Sequence, residues 1–256
     1  MSEDVEVQQF WAELRKTTQA RIGLGRSGNA LPTREVLDLA TAHAAARDAV
    51  HEPLDVEALC GQVRETGIGD PVVVRSQASS RAEYLRRPDL GRLPEESMVL
   101  AETPADIGFV LADGLSPLAM AKHGAALLAE LVAQLGGRYT LAPPVIATQA
   151  RVGLGDYIGH RAGYRTLLVL IGERPGLSVA DSLGIYLTHH PRPGRTDADR
   201  NCISNIHPPD GLGYVDAARI AAGLVAGARE LGRSGVDLKD TSRGEAIGTT
   251  TIDELN

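Results

Sequence analysis

The chain has 256 residues, of which 43% are hydrophobic and 4% aromatic, so a sizeable core must be filled by Ala, Leu, Val and Gly, and a disordered chain is excluded. The formal net charge is -7, with Arg interleaved among Asp and Glu, and no clustered basic patch of the kind a nucleic-acid surface needs. Such a balance suits an acidic protein that meets small molecules or other proteins.

The first residues, Met1-Ser2-Glu3-Asp4-Val5-Glu6, are acidic and precede no apolar run, so no signal peptide is expected. No stretch of about 20 apolar residues suits a membrane span. Residues 5–18, with Val5, Phe10, Trp11 and Leu14, suit a short helix. The run Gly23-Leu24-Gly25-Arg26-Ser27-Gly28 matches the spacing of a dinucleotide loop, but no buried strand precedes it and Pro32 follows at once. A glycine turn that contacts a partner is the better reading. Thr33 is expected to cap a helix carrying Val36, Leu37, Leu39, Ala40, Ala44 and Val50, ended by Pro53. Val56 to Val63 predicts another helix, and Pro71 opens a short β-branched run, Val72-Val73-Val74. Tyr84 to Pro94 is rich in Arg and Pro and reads as a surface arm or linker. Residues 1–95 are therefore expected to form a mainly helical N-terminal domain.

The pattern changes near Thr103. Ile107 to Ala112, Val145 to Thr148 and Thr166 to Ile171 predict strands, and Ile185 to Thr188 is a fourth candidate. Runs that are apolar at nearly every position are buried on both faces, as parallel strands are. Ser116 and Pro117 open a helix with Leu118, Ala121, Ala125, Leu128, Leu131, Val132 and Leu135 on one face, and residues 214–231 form an Ala-rich helix ahead of Gly232. This alternation predicts an α/β domain over residues 96–240, with an open, mostly parallel sheet of Rossmann-like or flavodoxin-like type. Residues 233–256 are polar and expected to fray, with 241–256 as a C-terminal tail.

Such sheets bind ligands beyond the carboxyl ends of their strands, where strand order reverses. Three loops qualify: Asp113 to Ser116, Arg151 to Asp156, and Gly172 to Gly176. Glu173 follows the most apolar strand directly, placed to accept hydrogen bonds from a ligand or to make a structural contact with Arg174 or backbone. Val152 sits where Gly153 and Gly155 let a flat ligand approach, or where an ordinary strand-to-helix turn is made. Cys60 and Cys202 form no CxxC pattern, which argues against a disulfide framework or zinc site. Cys202, in the run Asp199-Arg200-Asn201-Cys202-Ile203-Ser204-Asn205-Ile206, reads as a buried pocket-lining residue rather than a nucleophile, since no Cys/His pair is legible. His189-His190 reads as solvated loop histidines.

The last of these runs, together with Thr18 to Gly28, Tyr84 to Arg92, Ala112 to Ser116 and Ile171 to Leu177, occurs in an order that resembles the ethanolamine ammonia-lyase small subunit. The resemblance covers residues 15–240, and Gly-Glu-Arg-Pro-Gly and Asn-Cys-Ile-Ser-Asn-Ile carry most of it. It implies a lyase that converts ethanolamine to acetaldehyde and ammonia with adenosylcobalamin. A large subunit performs the rearrangement, and the small subunit completes the cofactor site in a hetero-oligomer with equal numbers of both. It implies cofactor contacts at Val152, Glu173 and Cys202, no catalytic residue and no metal ligand on this chain, and little turnover from the chain alone. It also implies the bacterial cytoplasm, inside an ethanolamine-utilisation microcompartment. No histidine lies in a D-x-H-x-x-G motif, so the cofactor is expected to keep its own axial base on cobalt. Two rival readings remain: a self-sufficient α/β enzyme binding a nucleotide or flavin at Gly153 to Gly159, and a non-catalytic assembly module.

Overall fold

A computed structural model describes residues 3–240. Four strands, β1 (Val72–Arg75), β2 (Ala105–Ala112), β3 (Val145–Thr148) and β4 (Tyr164–Gly172), run parallel in one six-stranded sheet of order β1-β3-β2-β4-β5-β6. The last two, β5 (Leu183–His189) and β6 (Asn201–Ile206), extend it antiparallel. The expected open α/β sheet is present, and its parallel part comprises four of the six strands. β1 lies before residue 95 yet pairs with β3, Val72 opposite Val145, so the sheet draws on both sides of the expected domain division.

Burial explains why β2 and β4 are apolar throughout. Ile107, Phe109 and Leu111 face one core with Leu168 and Leu170, whereas Val110 and Ala112 face the other with Leu167, Val169 and Ile171. Each such side chain contributes about 1.5–3 kcal/mol when fully buried. The first face is covered by α5 (Pro117–Leu135), α7 (Tyr214–Leu231) and α3 (Val56–Arg64). Ser116 caps α5 by accepting from the Ala119 amide, and Pro117 occupies the first turn, where its missing N–H costs nothing. α6 (Leu154–Ala162) packs on β4 from the second face.

Several expectations need correction. Thr33 is the first residue of α2 (Thr33–His51), and Pro32, with no side-chain bond to offer, takes the cap position. The segment from Tyr84 to Pro94 is no free arm. It holds part of α4 (Arg81–Arg86) and a 3-10 turn at Leu90–Arg92, and Tyr84 is fully buried. The polar run from Asp199 to Ile206, which carried no strand expectation, contains β6; its polar residues suit an edge strand with one uncovered face. Residues 233–240 are pinned: the Asn201 amide donates to the carbonyls of Gly235 and Leu238, and Ser234 donates to the Asp199 carbonyl. The expected tail, 241–256, lies outside the described residues. His189 is buried within β5 and bonded to Thr166 rather than solvated in a loop. The Gly23 turn packs on the ring of Trp11 from α1 (Glu3–Arg15), where any Cβ would collide.

Candidate functional site

The chain passes from β2 to β3 on one side and then crosses to β4 on the other, with α5 and α6 on opposite faces. The loops after β2, β3 and β4 therefore meet at one end of the sheet, where this topology leaves a crevice. The β2 and β4 loops touch backbone to backbone. Leu115 N–H donates to the Gly172 carbonyl at 2.9 Å, and a Cβ on Gly172 would lie 2.1 Å from the Ser116 carbonyl oxygen. Gly172 thus serves close approach, as its sequence suggested, but the approaching partner is the Gly114 loop.

The Val152 loop is fixed by a buried polar assembly. Both oxygens of the Asp113 carboxylate accept backbone N–H groups, Gln149 at 2.8 Å and Ala150 at 2.9 Å. These bonds hold Gln149 in the left-handed region at φ 53°. Burial pushes the Asp113 carboxyl upward in pKa, opposed by the two amides and by Arg81 at 3.5 Å. Arg81 and Arg151 each lie over the Tyr84 ring, at 4.8 and 4.7 Å. The Tyr84 hydroxyl donates to the Ala150 carbonyl at 3.1 Å, and Arg151 N–H donates to the Gly91 carbonyl at 2.8 Å. The segment from Arg81 to Arg92 therefore clamps the turn that presents Val152.

Glu173 and Cys202 are placed by the antiparallel strands. In β5, Leu183, Ile185 and Leu187 enter the first core, so the period of two turns Gly184, Tyr186 and Thr188 to the other face. Tyr186 pairs with Cys202 on β6, so the two side chains stand on the same face of the sheet. Glu173 leans over Gly184, where an added Cβ would lie 2.9 Å from Oε1. Its Oε2 accepts from the Ser182 hydroxyl and, at 3.3 Å, from the Asn205 amide. The Glu173 charge reaches both Tyr186 and Cys202. Burial first, with the Cys202 and Glu173 charges adding, pushes Tyr186 up to about 12.

Cys202 is exposed, contrary to the burial expected from its sequence, because β6 is an edge strand and Cys202 is on its uncovered face. Desolvation by the protein around its sulfur still raises the thiol pKa, which opposes thiolate formation and fits pocket lining rather than nucleophilic attack. It sits opposite Tyr186, inside the sheet rather than beyond a strand end.

Val152 and Glu173 thus share one trough on the α6 side of the sheet, and Cys202 lies next to a residue of its lining. Val152, Glu173 and Tyr186 line a pocket of about 340 Å³, and Val152 and Tyr186 also line an adjoining one of about 380 Å³. Cys202 joins them through Tyr186. A larger hollow of about 810 Å³, between α1 and residues 23–35, touches none of them. Sequence reasoning passed over Tyr186 and Tyr84. The alternation of residues 183–188 carried the first. For the second, the signal was a lone aromatic within an Arg-rich run in a chain poor in aromatics.

Two of the glycines proposed for a nucleotide loop do other work. A Cβ on Gly155 would meet Val169 and Leu167, and one on Gly159 would meet Pro191, so both serve close packing of α6. Among the described residues no cluster of three metal-ligating side chains occurs, and no helix is long and apolar enough to cross a membrane.

Residues 8–239 match the family described as ethanolamine ammonia-lyase light chain (EutC). The chain is 65% identical over 253 residues to an ethanolamine ammonia-lyase small subunit from Rhodococcus erythropolis, covering 98% of each chain. It is 47% identical over 250 residues to the small subunit from Bradyrhizobium diazoefficiens, covering 93% of this chain and 94% of that one. Identity to the small subunit from Ralstonia nicotianae is 45% over 241 residues, covering 91% and 88%.

Proposed function

This chain belongs to the ethanolamine ammonia-lyase small-subunit family, and from that premise we propose that it forms one wall of an adenosylcobalamin site whose opposite wall and substrate chemistry come from a large subunit. The reaction is the conversion of ethanolamine to acetaldehyde and ammonia, in a hetero-oligomer with equal numbers of both chains. The setting is the bacterial cytoplasm, within a microcompartment.

One observation supports this reading above the others: Val152 and Glu173, brought from separate elements, line one trough with Tyr186, and Cys202 is the cross-strand neighbour of Tyr186. The donor set suits a flat corrinoid with amides around its rim. Val152 and the Tyr186 ring offer apolar contact. The half-buried Glu173 carboxylate offers acceptor oxygens to amide N–H groups, and Gly184 leaves room beneath it. When bound, adenosylcobalamin supplies a radical by cobalt–carbon homolysis. This chain orients the cofactor and excludes water from one side of it. It places no acid, base or nucleophile at a reacting atom, which fits a raised Cys202 thiol pKa.

Co-expression with a large subunit tests the proposal. Ammonia release from ethanolamine should require both chains and adenosylcobalamin. Turnover by this chain alone, or by the pair without the cofactor, would overturn it.

A further inference from the structure

We propose that His123 is a positioning residue for the Glu173 carboxylate: a Tyr214–His123–Asp181 relay on the α5 face of the sheet sets where the chain entering β5 places the Ser182 hydroxyl on the opposite face. The relay stands on the geometry of this chain alone, and its consequence for a cofactor rests on the proposed role of Glu173.

His123 lies in the second turn of α5 and is buried, away from the trough. Its Nδ1 is 2.6 Å from the hydroxyl of Tyr214, the first residue of α7. Its Nε2 is 3.6 Å from Asp181 Oδ2, beyond hydrogen-bond length, and has no other partner. A neutral imidazole carries one N–H. With that proton on Nε2, the Tyr214 hydroxyl donates to Nδ1 and the N–H points at the carboxylate. The other tautomer would turn a buried lone pair toward an anion, so the Nε2–H form is favoured. Lys122 donates to the same Asp181 oxygen from the solvent side. Burial opposes ionisation of Asp181, but the Lys122 bond and charge outweigh it and hold the carboxyl below its usual range.

Asp181 and Ser182 are consecutive, and side chains along an extended chain point to opposite faces. Leu183 enters the first core and Gly184 faces the trough. The same alternation sends Asp181 to α5 and Ser182 to Glu173. Ser182 holds Glu173 twice: its hydroxyl donates to Oε2, and its carbonyl accepts the Glu173 amide at 2.9 Å. Ser116 donates to the Ala180 carbonyl at 2.8 Å, so the segment leans on α5 through residues 180 and 181 and reaches across with residue 182.

A second proton on His123 would disturb this arrangement. The groups facing the ring are Lys122 from α5, Asp181 before β5, Tyr214 from α7 and His207 after β6. Burial lowers the His123 pKa below its ordinary 6.5 against the pull of the Asp181 charge, and Lys122 and His207 add to the lowering. The charged ring donates from both nitrogens. Tyr214 must then accept instead of donate, and two cations compete for one oxygen of Asp181. Asp181 moves toward the ring, and Ser182 moves with it.

Hydrogen exchange in the assembled two-subunit complex without cofactor tests the relay between pH 8 and 5, with rates corrected for intrinsic exchange. Peptides spanning residues 173–182 should be protected at high pH in wild type. They should exchange about tenfold faster once His123 is charged, the equivalent of about one lost hydrogen bond. His123→Gln supplies an N–H that does not titrate, so protection should persist at both ends of the range. Asp181→Asn changes a partly exposed side chain and should lower protection at both ends, which keeps the relay testable if the buried substitution prevents folding. A wild-type pH dependence that survives in His123→Gln would overturn the relay, and so would wild-type protection in Asp181→Asn. Adenosylcobalamin affinity should likewise fall by about tenfold at low pH in wild type and stay level in His123→Gln. Exchange that follows His123 while affinity ignores it would support the relay and reject the role given to Glu173.

Discussion

The two sides of the trough are held by different physics. Val152 is presented by a buried stack in which Tyr84 lies between two guanidinium groups and Asp113 anchors the backbone beneath. Glu173 is held from a more open surface, by a serine hydroxyl and the backbone amide of an exposed asparagine, and Cys202 by the pairing of β6 with β5. A buried network is rigid but costly to break, whereas half-exposed hydrogen bonds cost little and tolerate adjustment. One side is therefore a fixed reference. The other can adapt when a large ligand and a second chain arrive.

Substitutions should separate the two sides. The largest effect is expected at Gly172, which joins them. A valine there would drive its Cβ into the Ser116 and Asp113 carbonyls, so Gly172→Val should cost more than about 4 kcal/mol or abolish folding. Chemical denaturation reads this directly, and a wild-type midpoint would contradict the close approach. Tyr84→Ala comes next, at about 3–5 kcal/mol, because it empties a fully buried site and strips two arginines of their ring. Hydrogen exchange should rise at residues 149–153 and remain unchanged at 201–206. Equal loosening of both segments would mean that the two sides are one unit.

Ser182→Ala removes one bond to the Glu173 carboxylate and should cost about 1 kcal/mol, with faster exchange confined to the loop after β4. A control lies at the far end of β5. Burial lowers His189 from 6.5 to about 4, so the folded state stays neutral where the unfolded chain takes up a proton. The unfolded state then binds more protons between those two values. Stability should fall as pH drops from about 6.5 to about 4 and lose this dependence in His189→Asn, measured by denaturation across pH. A slope that persists in the variant would assign it to other groups.

How much of this was legible depended on what each residue touches. The parallel strands were readable because Ile107 to Ala112 and Thr166 to Ile171 are apolar on both faces, a local property. β6 was not, because Asn201, Cys202, Ser204 and Asn205 look like a loop until β5 pairs with them. The Arg-rich segment after Arg81 suggested solvent, yet its one tyrosine is buried by contacts to residues 150 and 151 that no local pattern encodes. Glu173 and Val152 were found by their position after strands. Cys202 was singled out by the composition of its run, which says nothing of where it lies, and only the pairing with Tyr186 brings it near them.

The account turns on whether Glu173 touches the cofactor. Adenosylcobalamin affinity of the intact two-subunit complex, compared between wild type and Glu173→Ala, tests this most directly, with Ser182→Ala as the control for loop disturbance. Loss of one good hydrogen bond predicts weakening by about 1–3 kcal/mol for Glu173→Ala and a smaller change for Ser182→Ala. Unchanged affinity in a fully assembled Glu173→Ala complex would contradict the account.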